Sequence, residues 1–184
     1  MPPAAGIQNL FLIGYRGTGK TTVARILAER LGWSWIDADA ALEERYGRSI
    51  RRIFEEEGEA GFREKEMTVL EELCRSGNQV IATGGGVVLR EANQQRLRSA
   101  GRVVWLTADA QTLWRRLQSD AQTHERRPPL LGGGLPEIAQ LLQERVPLYQ
   151  GCADFTVDTT AASPEAIAER IIKVLESGSE RERE

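Results

Sequence analysis

The run Gly14-Tyr15-Arg16-Gly17-Thr18-Gly19-Lys20-Thr21 fits the pattern G-x-x-x-x-G-K-[ST] in full. That pattern does phosphate chemistry. Gly14, Gly17 and Gly19 let the backbone, through Arg16 and Thr18, fold into a nest whose N–H groups face an anion. A helix opening at the end of the loop adds a partial positive charge. Lys20 is placed to reach the β- and γ-phosphates of a nucleotide, and the Thr21 hydroxyl to bind Mg²⁺. The loop says nothing about which molecule accepts a phosphoryl group.

Candidates for the acceptor side lie further along. Asp37 and Asp39 are two apart, so in an extended segment both carboxylates point the same way. They could share work around magnesium and a hydroxyl, or Asp37 could simply cap the helix that follows. Gly84-Gly85-Gly86 would let backbone N–H groups come close to a ligand, or make a flexible turn. Arg63 stands four before Met67 and seven before Leu70, and Arg145 four after Leu141 and seven after Ile138. Both therefore lie on helix faces that otherwise read as core. An arginine there must find an anion or snorkel out. A bidentate grip on a carboxylate is one solution. An internal ion pair is the other, and Glu66 lies three residues from Arg63. Arg126-Arg127-Pro128-Pro129 could close over a nucleotide or remain a solvated basic loop. His124, the single histidine, reads as surface.

The elements that must position these groups alternate. Short apolar runs at Leu10–Ile13, Trp33–Ile36, Val80–Thr83, Val103–Leu106 and Phe155–Val157 predict five strands. Helical patterns fill Lys20–Leu31, Ala38–Tyr46, Ile50–Glu57, Glu59–Arg75, Glu91–Ser99 and Asp109–Ser119. Two more run from Pro136 to about Leu148 and from Ser163-Pro164 to about Leu175. The segment of about 120–135 reads as a loop. The fold class expected is α/β, a three-layer sandwich around a parallel sheet. Ligands of such sheets sit beyond the carboxyl ends of the strands, where the loop, the Asp pair and the triple glycine all fall. The four tryptophans, Trp33, Trp35, Trp105 and Trp114, read as packing.

The 184 residues suit a single domain, with residues 1–6 and 177–184 expected to be disordered tails. The net charge of −3 offers no global field for nucleic acid. No apolar run approaches the ~20 residues of a membrane span. The first residues lack the charged start and apolar centre of a secretion signal, so a cytoplasmic, monomeric protein is expected. Cys74 and Cys152 match no metal or redox spacing.

Taken together, these residues resemble the shikimate kinase family, from roughly Leu10 to Ile172. The likeness rests on the phosphate loop, Asp37-Ala38-Asp39, and Gly47–Ile50 (G-R-S-I) followed by Ile53-Phe54. It continues through Phe62–Glu66 (F-R-x-x-E), the triple glycine, Arg127-Pro128 and Arg145–Tyr149 (R-x-P-L-Y). The resemblance implies a small P-loop kinase fold with five parallel strands and a mobile lid, related to nucleoside monophosphate kinases. It implies transfer of the ATP γ-phosphoryl group to the 3-hydroxyl of shikimate, a step towards the aromatic amino acids. On that resemblance Lys20, Asp39 and Arg127 carry catalysis, with Asp39 either a base for the acceptor proton or only a binder of the ring hydroxyls. Asp39, Arg63, Gly84, Gly85, Gly86 and Arg145 form the acceptor pocket, the two arginines holding the carboxylate. Thr21 binds magnesium, Asp37 acts on it through water, and Arg116 lies against adenine.

The lid departs from the family pattern. It reads Arg-Arg-Pro-Pro-Leu-Leu where Arg-Pro-Leu-Leu is usual, and Gly132-Gly133-Gly134 follows. The extra proline stiffens one side. Arg127, which directly precedes Pro128, is favoured over Arg126 as the lid arginine. A kinase for another small polyol acid, such as gluconate, and a non-catalytic protein on the same fold are the competing readings. The second of these predicts damage at Lys20, Thr21, Asp37 or Asp39, and all four are intact.

Overall fold

A computed structural model describes residues 8–119 and 134–181 of the chain. Arg126, Arg127, His124 and most of the expected lid lie outside the described residues.

Five strands make one parallel sheet: β1 (Asn9–Ile13), β2 (Ser34–Asp37), β3 (Gln79–Ala82), β4 (Arg102–Thr107) and β5 (Phe155–Asp158), in the order β2-β3-β1-β4-β5. β1 lies at the centre, with Leu10 opposite Val80 of β3 and Arg102 of β4. It is buried along its whole length, which is why its sequence is unbroken apolar rather than alternating. Leu10 and Leu12 face one layer, with Val23 and Leu27 of α1 (Lys20–Leu31) and Ile167 and Ile171 of the last helix. Phe11 and Ile13 face the other, with Leu70, Leu97 and Tyr149. Burying each such side chain is worth about 1.5–3 kcal/mol, so the two-sided core holds the strand ends in fixed relation.

The remaining helices are α2 (Ala38–Tyr46), α3 (Ile50–Leu73), α4 (Glu91–Ala100), α5 (Ala110–Ser119), α6 (Gly134–Cys152) and α7 (Pro164–Arg181), with a 3₁₀ turn at Val87–Leu89. The two helices expected on either side of Gly58 meet there at a kink and are numbered together as α3. Gly58 takes φ 69 and ψ −174, a conformation essentially confined to glycine, and the axis bends there. α6 runs four residues past its expected end at Leu148 in spite of Pro147. Tertiary anchoring of Tyr149 outweighs the hydrogen bond that the proline removes. The tail from Ser177, read as disordered, is helical as far as Arg181.

Trp35 is the exception to the packing role expected of the tryptophans, being 42% exposed. It sits on β2, an edge strand paired only with β3. Trp105, by contrast, is buried and stacks on Tyr149, with centroids 5.7 Å apart. Among the described residues no helix is long and apolar enough to cross a membrane.

Candidate active site

The phosphate loop leaves β1 at Gly14, whose φ is 135; a Cβ there would stand 2.2 Å from the Leu106 carbonyl oxygen. Only glycine allows β1 to turn this close to β4. Gly17 and Gly19 also take positive φ, 85 and 88. Thr18 is buried and donates through Oγ1 to the Tyr15 carbonyl at 2.8 Å, closing the loop on itself. Lys20, 9% exposed, donates from Nζ to the carbonyls of Gly14 (2.8 Å) and Tyr15 (2.9 Å). The ammonium is thus held against the loop that it serves.

Thr21 and Asp37, the expected magnesium residues, meet directly. Thr21 Oγ1 donates to Asp37 Oδ2 at 2.7 Å. The other oxygen, Oδ1, accepts from the backbone N–H groups of Asp39 (3.0 Å) and Ala40 (3.1 Å). Asp37 thus caps α2, the simpler of its two readings, and meets Thr21 with its second oxygen.

Asp39 lies in the first turn of α2 and lines a cleft with Leu42, Glu66, Val69, Thr83, Gly84 and Val87. Of the triple glycine, Gly84 lines the cleft and Gly85 adjoins the phosphate loop. A Cβ on Gly85 would lie 3.4 Å from the Arg16 backbone nitrogen and 3.5 Å from the Gly14 carbonyl oxygen. A Cβ on Gly86 would fall 2.4–2.7 Å from the Arg63 guanidinium. That arginine rests on bare backbone.

The two arginines on apolar faces are both buried, each 6% exposed, but are partnered differently. Arg63 is in the ion pair that its spacing allowed. Nη1 donates to Glu66 Oε2 at 2.7 Å, and Nε and Nη2 donate to Glu59 Oε1 at 3.3 and 3.1 Å. Arg145 pairs with no carboxylate among the described residues. Its Nη1 donates to the Gly85 carbonyl at 3.4 Å, its Cζ lies 5.8 Å from the centroid of the Tyr15 ring, and its Nε has no hydrogen-bond partner among the described residues.

Arg116 reaches from α5 to the phosphate loop. It donates to the Gly17 carbonyl at 3.2 Å and to Thr159 Oγ1 and O at 3.1 and 2.5 Å. Asp158 accepts from the Thr160 N–H at 2.8 Å, and hydrogen bonds from Thr160 hold its carboxyl below the usual range. Arg16 lies with its Cζ 5.8 Å from the centroid of the Tyr15 ring and donates to the buried Glu137 of α6 at 3.4 Å.

A family model described as shikimate kinase matches residues 16–176. A shikimate kinase of Rhodopirellula baltica is 40% identical over 92% of this chain and 91% of its own. The chain belongs to the shikimate kinase family. A solved shikimate kinase from Acinetobacter baumannii, in complex with shikimate, superposes with a TM-score of 0.86 at 37% identity, over 94% of this chain and 95% of that one. A gluconokinase from Sinorhizobium meliloti shares the fold at a TM-score of 0.58 and 20% identity, over 95% and 94%. The chain is thus a P-loop kinase of the α/β class, and the reading as a non-catalytic protein falls.

Beyond the residues singled out on the sequence, the geometry brings in Tyr149, Tyr15 and Glu59. Tyr149 is fully buried and donates from its hydroxyl to the Gly85 carbonyl, which Arg145 shares. Its i, i+4 spacing from Arg145 was a usable signal for a common face. Tyr15 gave none, because its place in the loop pattern is unspecified.

Proposed function

We propose that this kinase transfers the γ-phosphoryl group of ATP to the 3-hydroxyl of shikimate, with the residue roles as follows. Lys20 exchanges its two carbonyl contacts for phosphate oxygens, a stronger, charge-assisted pairing. Arg116, tied to Gly17 and Thr159, borders the place where adenine rests. Arg127 closes from the lid over the phosphates.

Thr21 and Asp37 fit a magnesium ion. They supply hard oxygen donors 2.7 Å apart. Among the described residues no cluster of three or more His, Cys, Asp or Glu could hold a metal. This suits an ion bound through one or two protein oxygens and substrate phosphates. When bound, the ion neutralises charge on the transferring group.

On the acceptor side, Asp39, which lines the cleft, binds the ring hydroxyls. Arg145 takes the substrate carboxylate. One observation carries this reading: a nine-tenths buried guanidinium beside a phosphate loop, with an unsatisfied Nε and no carboxylate pairing it among the described residues. A buried charge without a counter-ion is costly, and an acid ligand relieves that cost. Arg63 joins it by releasing Glu59, whose side chain is 51% exposed and free to swing out, while Glu66 stays.

Catalysis here needs positioning and charge stabilisation more than covalent chemistry. A coupled ADP-release assay with a panel of small hydroxy acids, gluconate included, tests the assignment. Shikimate-dependent ADP production is expected, abolished by Lys20→Ala. Turnover of gluconate in preference to shikimate would refute it. Asp39→Asn separates the two roles of that residue: a general base loses turnover strongly, whereas a binder loses mainly shikimate affinity.

A further inference from the structure

Arg145 and Arg63 are equally buried, yet among the described residues only Arg63 is held by carboxylates. What holds Arg145 is an aromatic face. Its Cζ lies over the ring of Tyr15 at 5.8 Å, and its described hydrogen bond, to Gly85, is long at 3.4 Å. Tyr15 is itself 2% exposed and packed among Leu113 and Leu117 of α5 and Ile138 and Leu141 of α6. Its hydroxyl has no hydrogen-bond partner among the described residues.

We propose that Tyr15 is a positioning residue for the acceptor acid: its ring seats the Arg145 guanidinium beside Gly85 without neutralising it. The physical distinction is between two ways of fixing a cation. A glutamate orients a guanidinium but cancels its charge, so an incoming carboxylate must displace the glutamate. An aromatic face attracts the cation through its quadrupole and leaves both the charge and the N–H groups available. Desolvation of the pair strengthens the attraction. The seat also belongs to the phosphate loop, between Gly14 and Arg16. The loop that holds the phosphoryl donor therefore also sets the position of the group that holds the acceptor.

This inference rests on the reading that Arg145 meets the substrate carboxylate, and the test separates the two. Steady-state kinetics in ATP and in shikimate, with thermal melts, would be run on Tyr15→Leu, Tyr15→Phe and Arg145→Lys. Tyr15→Leu is expected to raise the shikimate KM about tenfold while the ATP KM stays within about twofold. Tyr15→Phe, which keeps the ring, is expected to keep the shikimate KM. Because leucine could unsettle the loop, a second series replaces Tyr15 with phenylalanine carrying increasing numbers of ring fluorines. Fluorine drains the face of electron density at nearly constant shape, so the shikimate KM should climb stepwise.

A flat fluorine series, an equal rise in both KM values for Tyr15→Leu, or a Tyr15→Phe as damaged as Tyr15→Leu would overturn the proposal. If Arg145→Lys raises the shikimate KM while the Tyr15 variants do not, the seat alone is wrong. If Arg145→Lys leaves that KM unchanged, the carboxylate reading fails and the seat with it.

Discussion

Arg63 shows how a residue can answer to two readings at once. Its ion pair with Glu66 was legible, because three residues along a helix bring side chains together. Glu59, four residues before it, satisfies the same rule. What no spacing shows is that its guanidinium lies flat on Gly86, since that contact joins α3 to a turn twenty-odd residues away. Gly86→Ala probes it. The new methyl would stand 2.4 Å from Nη2, and the atom in the way is the far end of a flexible side chain rather than backbone. Gly86 also has an ordinary negative φ, −104. The guanidinium should therefore yield and the fold should not. A several-fold rise in shikimate KM, with the melting temperature lowered by no more than a few degrees, is the expected pair of readings.

At the level of elements, the glycines and the alternation of period already outlined most of the structure. Gly14 ends β1, Gly32 ends α1, and the break at Gly58 is where the pattern divides. Helix ends were less legible, because α6 continues past Pro147 on tertiary packing that a local window does not weigh. The kink in α3 can be tested on its own. A Cβ at Gly58 meets nothing within 4 Å, so Gly58→Ala is opposed by backbone conformation alone. It should destabilise the protein by about 1–3 kcal/mol in urea unfolding. The halves of the helix do different work: Ile50 and Ile53 build the small core behind α2, and Arg63, paired with Glu66, rests against Gly86.

For the molecule as a whole, the sheet order β2-β3-β1-β4-β5 was not readable strand by strand, because pairing joins segments as far apart as Leu10 and Arg102. Its effect is to gather three strand ends at one rim: the phosphate loop after β1, Asp37 at the end of β2 and the glycines after β3. The same compact packing sets a limit on alkaline stability. Burial pushes the thiols of Cys74 and Cys152 from 9.0 up to about 11. The folded state thus keeps protons that the unfolded chain releases. This contribution is intact below pH 9.0 and is lost as the pH rises through about 11. Urea midpoints should fall across that window, and Cys152→Ser, despite its own packing cost, should flatten the fall. Both thiols should also react slowly with thiol reagents at pH 8 until the protein unfolds.

Asp37 ties this rim together, since one oxygen caps the start of α2 while the other accepts from the first turn of α1. A single carboxylate therefore faces the positive ends of two helices whose strands are not neighbours. Asparagine caps a helix as well as aspartate does, yet it would not serve the magnesium role proposed for this residue. With its oxygen kept on the α2 amides, its NH₂ would turn a donor towards Thr21 and repel a cation. Position 37 is thus closed to the most conservative exchange available. A lineage that lost the chemistry would lose this constraint first, before anything in the core had reason to change.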